Sequence, residues 1–210
     1  MQRKGFIALF LSSLTTWLVG VSTMPLLPLY AAELGASSAM TGNYLAFSFA
    51  MLAAGTMLAG RLSRRVGRRR ELIVLAGIVA FPATWLMGRA ETIWQLALLT
   101  SVIWFAAGIA LTLQSILMGL FAAKARRGRM FGLLASTTAL AGLIGGLIVG
   151  PMAETWGYRG MFAMLALVWV VQVGASLLLP DKRTAARDER AAILPRRNFT
   201  PAFWQLLVAN

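Results

Sequence analysis

The sequence contains no cysteine and no histidine among its 210 residues. Without cysteine, the chain can form neither disulfides nor thiolate metal sites. Without histidine, it lacks Ser-His catalysis, the common zinc ligand sets and an imidazole proton relay. Acidic residues are also few, since Asp and Glu together number 7. We therefore predict that the chain is not an enzyme, has no catalytic residues, and binds neither a metal nor a cofactor.

Hydrophobic residues make up 59% of the sequence and charged residues only 13%. This composition is too apolar for one soluble core of this size. A helix needs about 20 apolar residues to cross a bilayer. Six segments have that character: Phe6–Tyr30, Met40–Arg61, Leu72–Gly88, Ile93–Ala123, Met130–Ala153 and Gly160–Pro180. The pattern predicts an all-α, polytopic membrane protein built as a six-helix bundle, with the first helix bent at Pro25 and Pro28.

The basic residues lie in alternate gaps between these segments. All but two of the 20 Lys and Arg residues occur at Arg3 and Lys4, in Arg61–Arg70, in Lys124–Arg129 and in Lys182–Arg197. Because cytoplasmic loops carry such an excess, we predict a bacterial-type inner membrane location with both ends of the chain in the cytoplasm. These short, separated runs should attract anionic headgroups of the lipid bilayer. They do not form the single basic surface that nucleic-acid binding requires.

The interiors of the six segments contain no Asp, Glu, Lys or Arg. Charges inside a membrane usually mark proton relays and ion pathways. This part of the protein therefore offers no obvious proton carrier.

After the sixth segment the sequence becomes polar and mixed in charge, and then turns apolar again over its last ten residues. We predict a six-helix transmembrane domain over residues 1–180 and a cytoplasmic linker over residues 181–200. Residues 201–210 are too short to span and are predicted to begin an incomplete seventh helix.

An internal repeat occurs at a constant offset of ninety positions. Its matched pairs are Met40 and Met130, Gly42 and Gly132, Gly55 and Gly145, Gly60 and Gly150, Gly67 and Gly157, and Arg69 and Arg159. The first copy joins segments two and three, and the second joins segments five and six, on the opposite face of the membrane. An inverted repeat of three plus three helices requires this arrangement. Coincidence in a Gly-rich chain is the competing interpretation.

Residues 60–70 read GRLSRRVGRRR and join the second and third segments. Gly60 should let a neighbouring helix approach, and Gly67 should permit a tight reversal. The arginines, among them Arg64, Arg65, Arg68 and Arg69, should hold the segment at the inner headgroups. The segment resembles the signature loop of the major facilitator superfamily, Gly-x-x-x-Asp-Arg-x-Gly-Arg-Arg. We identify these six residues as candidate signature-loop and gating residues.

The resemblance covers essentially the whole chain and implies the N-terminal half of a twelve-helix transporter. It also implies a small-molecule substrate and a second six-helix half as partners. Arg64 departs from the family pattern because it stands where the family usually carries Asp. In relatives, that carboxylate interacts with the end of a helix in the second half and helps to hold the cytoplasmic gate closed. A cation cannot make the same contact with a helix N-terminus.

The fifth segment contains Gly142, Gly146 and Gly150, followed by Pro151. Glycines four residues apart form a smooth stripe against which another helix can pack closely, and Pro151 is expected to kink or end the helix. The motif resembles the Gly-Pro motif in the fifth helix of superfamily exporters. The glycine pair that follows the proline in the family is replaced here by Glu154 and Thr155.

Four residues are candidates for a substrate cavity: Trp17, Asn43, Trp104 and Gln114. Two are aromatic residues deep within their segments, and the other two are polar groups that need partners or water in hydrocarbon. Trp104 occupies the position where the family's exporters carry an Arg associated with proton coupling. The resemblance implies that helices one, two, four and five line the cavity, with helices three and six outside.

Taken together, these features favour a secondary active transporter that works by alternating access and exports a drug-like or metabolite solute, with or without proton coupling. The resemblance is to the branch of drug and metabolite exporters that act as drug:proton antiporters. Two alternatives stay open. The protein could import a sugar or another neutral metabolite, or it could be a non-transporting six-span interaction protein if the chain is complete.

The predicted topology can be tested directly because the chain contains no cysteine. Arg65→Cys and Arg126→Cys, introduced singly, should both react with a membrane-impermeant maleimide in inside-out vesicles and resist it in intact cells. Reaction of the two positions from opposite sides of the membrane would contradict the six-span topology.

Overall fold

A computed structural model describes residues 3–122 and 127–179 of the chain. These residues form six α-helices and no strand. The helices are α1 Arg3–Thr23, α2 Leu27–Glu33, α3 Ser38–Val66, α4 Arg69–Met87, α5 Ile93–Phe121 and α6 Arg127–Leu177. The predicted all-α fold is confirmed. The linker over residues 181–200 and the helix start over residues 201–210 lie outside the described residues and stay predictions.

Within the described residues, five helices are long and apolar enough to cross a membrane. The last of them, α6, has 51 residues, whereas one crossing needs only about 20. Its backbone leaves the helical conformation at Gly157, where φ is 61° and ψ is 177°. Gly157 therefore divides α6 into a first limb, residues 127–156, and a second limb, residues 158–177.

The contacts of α1 show that the two limbs run in opposite directions. Ser13 of α1 meets Thr137 of the first limb, and farther along both helices Ser22 meets Gly145. The second limb instead places Tyr158, at its start, against Tyr30 of α2 beyond the end of α1, and Ser176, near its end, against Ser12 in the middle of α1. Because one limb runs parallel to α1 and the other runs back along it, α6 crosses twice. Residues 3–122 and 127–179 thus contain six segments of the length needed to cross a membrane, as predicted.

The first predicted segment, Phe6–Tyr30, is divided into two helices. α1 ends at Thr23, and α2 begins at Leu27 with Pro28 in its first turn. A proline is tolerated there because the first N–H groups of a helix have no partner within the helix. The bend expected from Pro25 and Pro28 is therefore confirmed.

Gly67 and Gly157, a matched pair of the ninety-residue repeat, both adopt the left-handed conformation. Their φ angles are 67° and 61°, a region that side chains other than glycine rarely occupy. Gly67 separates α3 from α4, and Gly157 separates the two limbs of α6. Equivalent glycines thus form equivalent turns, which confirms the inverted repeat.

The packing repeats as well. Gly55 of α3 lies against the backbone of Phe105 in α5, and its repeat mate Gly145 lies against Ser22 of α1. In each case a side chain on the glycine would clash with its neighbour. Small residues at such crossings let helix backbones approach closely in lipid, where apolar side chains alone give no net attraction. The pairs α3 with α5 and α1 with the first limb are therefore equivalent.

The remaining pair of helices, α4 and the second limb of α6, is held by polar contacts inside the bundle. Trp169 donates its indole N–H to Thr84 Oγ1 at 2.8 Å. Gln172 donates to the carbonyl of Ile73 at 3.4 Å and lies directly over Gly77. Both side chains are buried. The indole N–H of Trp169 and the amide N–H of Gln172 each have a partner, which offsets the cost of placing a polar group in hydrocarbon.

Gly55→Ala should lower the free energy of unfolding by about 1–3 kcal/mol, because the new methyl group meets backbone that cannot rotate away. Gly42→Ala in the same helix is the matched control. A Cβ at Gly42 meets nothing within 4 Å, so this change should raise stability by about 0.5–1 kcal/mol through helix propensity alone. Both values can be measured by unfolding in mixed micelles. Equal effects from the two changes would contradict the packing at Gly55.

Candidate functional site

The arginine-rich segment is helical over most of its length. Residues 60–66 belong to α3, Arg69 and Arg70 belong to α4, and only Gly67 and Arg68 lie between the helices. The expectation of a loop from Gly60 to Arg70 is therefore wrong. Arginine is a good helix former, so the helix continues until Gly67 ends it in the left-handed conformation typical of a C-terminal cap.

Arg69 stabilises the turn between α3 and α4. Its side chain is 95% buried, and its Nε donates a hydrogen bond to Ser63 Oγ at 2.7 Å. The bond joins the start of α4 to the end of α3. A charged donor makes a stronger bond than a neutral one, so Arg69 holds the two helices together at their tight reversal.

Four other arginines of the segment, Arg61, Arg64, Arg65 and Arg68, lie on its surface. Arg64 and Arg65 are exposed, and Arg68 forms an exposed ion pair with Glu71 at 3.2 Å. Gly60, predicted to admit a neighbouring helix, has only the tip of Arg64 near it among the described residues. The segment therefore presents a cationic surface at the end of the bundle.

The glycine stripe of the first limb is only partly used within the described residues. A Cβ at Gly142 would touch Val21 of α1 at 3.5 Å, but Gly146 and Gly150 have no neighbour within 4 Å. The tight contact is made instead by Gly145, which lies outside the predicted stripe. The helix continues through Pro151 and leaves the helical conformation at Gly157, so of the two effects expected of Pro151, a kink or an end, the end is wrong.

Gln114 lies at a polar centre in the middle of the bundle. Its amide Nε2 donates to Ser12 Oγ at 2.9 Å and to Thr16 Oγ1 at 3.4 Å. Ser12 Oγ also pairs with Ser176 Oγ at 2.9 Å. Gln114 is fully buried, and the centre joins α1, α5 and the second limb of α6 with no charged group in these bonds.

Trp104 is also inside the bundle. It is 8% exposed, and its ring lies 5.0 Å from the ring of Phe49. Trp17 is half-buried, and Asn43 is exposed. The structure thus does not bring the four predicted cavity residues into one pocket.

A cavity lies between the first turns of α3 and α5. Its volume is about 400 Å³, and it is lined by Met40, Asn43, Tyr44, Phe47, Ile93, Trp94, Ala97 and Leu98. Only Asn43 of the predicted set belongs to it. The lining residues of α3 recur at positions i, i+3, i+4 and i+7, which places them on one helix face. That spacing is the sequence signal that could have identified this cavity.

A sequence profile described as Major Facilitator Superfamily matches residues 5–210. The chain is 31% identical over 182 residues to the multidrug resistance protein MdtG of Proteus mirabilis, covering 84% of the chain and 45% of that relative. It is 33% identical over 171 residues to MdtG of Yersinia enterocolitica, covering 76% of the chain and 40% of that relative. The chain therefore spans less than half the length of either relative.

Solved structures show the same fold. A peptide transporter, POT, in complex with sulfate matches 98% of the chain with a TM-score of 0.74 at 15% identity, covering 45% of that protein. The proton:xylose symporter XylE matches 97% of the chain with a TM-score of 0.71 at 16% identity, covering 53% of that protein. At these identities the likeness concerns the fold alone.

A double-mutant cycle tests the polar centre. Ser12→Ala and Gln114→Ala should be coupled by about 0.6 kcal/mol and at most about 1.7 kcal/mol in the free energy of unfolding, the range found for hydrogen bonds between helices in membranes. Ser136→Ala is the control partner, because its hydroxyl donates to the carbonyl of Leu133 in its own helix. Its coupling to Gln114→Ala should be zero. Coupling of equal size in the two cycles would contradict the Ser12–Gln114 bond.

Proposed function

Since the chain belongs to the Major Facilitator Superfamily, we propose that it forms the N-terminal six-helix half of a secondary active transporter. The complete protein would act by alternating access, with two halves rocking about a site near the middle of the membrane. On this proposal it is a transporter and not an enzyme.

The observation that carries this proposal is the inverted repeat. Gly67 and Gly157 form equivalent turns at opposite ends of the bundle, and Gly55 and Gly145 form equivalent helix crossings. Transporters that alternate access are commonly built from inverted repeats, because the two arrangements of such a unit resemble each other in energy and shape. The arrangement supports a role in transport more directly than a role as a structural membrane protein.

We propose export of an uncharged, drug-like or metabolite solute. The interiors of the membrane segments contain no charged residue, so a strongly charged solute would find no counter-charge in this half. The relatives that match the chain are named multidrug resistance proteins, which supports the export direction over import. Trp104 occupies the position where related exporters carry an Arg associated with proton coupling. Any proton carrier would therefore lie in the second half.

We propose that Arg64 and Arg65 lie at the cytoplasmic headgroups, together with both ends of the chain. Their exposure on α3 leaves them available to anionic lipid within a Debye length of the surface. The family Asp at position 64 would favour the N-terminus of a partner helix, whereas Arg64 would be repelled from it. The cytoplasmic gate would therefore close on a contact different from that of its relatives.

The uncovered faces of Gly146 and Gly150 also support the proposal that this domain packs against a second six-helix half. No atom of another described helix lies within 4 Å of a Cβ at either position. Such a smooth strip suits close packing of another helix. We propose that a helix of the second half covers it.

Export can be tested in cells that lack their own multidrug exporters and express the full-length protein. Energised cells should retain less Nile red, a neutral aromatic dye, than uninduced cells, and a protonophore should abolish the difference if protons drive export. Gly42→Ala is the control variant and should export like the unchanged protein. Greater dye accumulation in expressing cells would overturn the export direction.

A further inference from the structure

The short helix α2 belongs to a different packing unit from the helix that precedes it. α1 ends at Thr23 against the first limb, where Ser22 meets Gly145. α2 begins shortly afterwards, at Leu27. Its Tyr30 lies instead against the end of α4 and the start of the second limb. These contacts are at the end of the bundle opposite the arginine-rich turn.

The hydroxyl group of Tyr30 joins α2 to α4. Tyr30 is 6% exposed, and its hydroxyl oxygen lies 3.1 Å from the carbonyl oxygen of Met87 and 3.1 Å from that of Ala90. Its one hydrogen is therefore shared between the two carbonyls. α4 ends at Met87, and the last carbonyls of a helix have no donor within the helix. Tyr30 thus supplies a donor to the end of α4.

The ring of Tyr30 joins α2 to the second limb. It stacks on the ring of Tyr158, with the ring centroids 4.2 Å apart and the planes 20° from parallel. The start of the second limb also touches the end of α4 directly, since a Cβ on Gly88 would lie 2.8 Å from Cα of Arg159. α2, the end of α4 and the start of the second limb therefore form one block.

The connection between α1 and α2 interrupts the helix. Residues 24–26 form a turn. Pro25 has no N–H, so it cannot donate to the carbonyl of Val21 as another residue in a helix would. The N–H of Leu26 bonds to the carbonyl of Thr23 at 3.0 Å. The two helices are thus joined by a short segment without continuous helical hydrogen bonding.

We propose that residues 24–26 are a hinge and that Tyr30 is a latch, the contact that holds α2 on the ends of α4 and the second limb. α1 can then tilt against the first limb while α2 keeps its place, so this end of the bundle stays closed as α1 moves. Tyr30 is a positioning residue, because its contacts are with other parts of the protein. The role of the hinge in transport rests on the proposed function. Hinge and latch are measured without a solute, so their failure and the failure of export are separate results.

Hydrogen exchange of backbone amides tests both parts, followed by mass spectrometry on the full-length protein in lipid nanodiscs. Tyr30→Phe keeps the ring and removes the hydroxyl. Amides of residues 27–34 should then exchange about two- to tenfold faster, the effect of losing one ordinary hydrogen bond. Amides of residues 10–20 in α1 should be unchanged. Tyr158→Phe also keeps the ring stack, and as the matched control it should leave both ranges unchanged.

Chemical labelling gives a second measurement of the latch. Ala31 of α2 is fully buried, so a thiol at Ala31→Cys reacts only when α2 leaves its block. A membrane-impermeant maleimide added to intact cells should label it about two- to tenfold faster when Tyr30→Phe is also present. Ser37→Cys, at an exposed position just after α2, should react at the same rate with and without Tyr30→Phe.

Three contrary results overturn the proposal. Unchanged exchange at residues 27–34 in Tyr30→Phe would show that the hydroxyl does not hold α2. Exchange that rises equally at residues 10–20 would show that α1 and α2 move as one helix, without a hinge. Equal labelling of Ala31→Cys with and without the Tyr30 hydroxyl would contradict the latch.

Discussion

The structure depends on how helices attract one another in lipid. Apolar side chains gain nothing by leaving lipid for a protein interior that is equally apolar, so close backbone contact and hydrogen bonds must hold the bundle together. This chain uses both. Gly55 and Gly145 bring pairs of helices into direct backbone contact, and small hydroxyl groups join the same pairs, as between Ser13 and Thr137. The remaining features of the fold follow from these crossings.

Hydrogen bonds between hydroxyl groups also occur in both of these helix pairs. Ser13 of α1 bonds to Thr137 of the first limb at 3.0 Å, and Ser48 of α3 bonds to Ser101 of α5 at 3.3 Å. The inverted repeat exchanges α1 with α5 and α3 with the first limb, so the two bonds join equivalent pairs of helices, although not at residues ninety positions apart. The bundle therefore contains the same type of helix crossing twice, in opposite orientations relative to the membrane. Inverted repeats of this kind are common in transporters that work by alternating access.

Features of the fold that depend on composition and on local backbone conformation could be predicted from the sequence. Segment lengths predicted the six crossings, and the offset of ninety residues predicted the paired turns at Gly67 and Gly157. It could not predict which way side chains face, because helices in lipid are apolar on all sides and have little periodicity. Gln114, a predicted cavity residue, is instead fully buried among α1, α5 and α6. Likewise, Gly145 and not Gly146 makes the tight contact in the first limb, since that choice depends on where α1 lies.

The most direct test of the account is disulfide cross-linking in native membranes, which the absence of cysteine makes unambiguous. Ser48→Cys with Ser101→Cys, and Ser13→Cys with Thr137→Cys, place thiols where the hydroxyl oxygens are 3.3 and 3.0 Å apart. Both pairs should form disulfides on mild oxidation, while the mixed pair Ser13→Cys with Ser48→Cys should not. Cross-linking at only one of these two equivalent helix crossings would contradict the inverted repeat on which the fold and the proposed function depend.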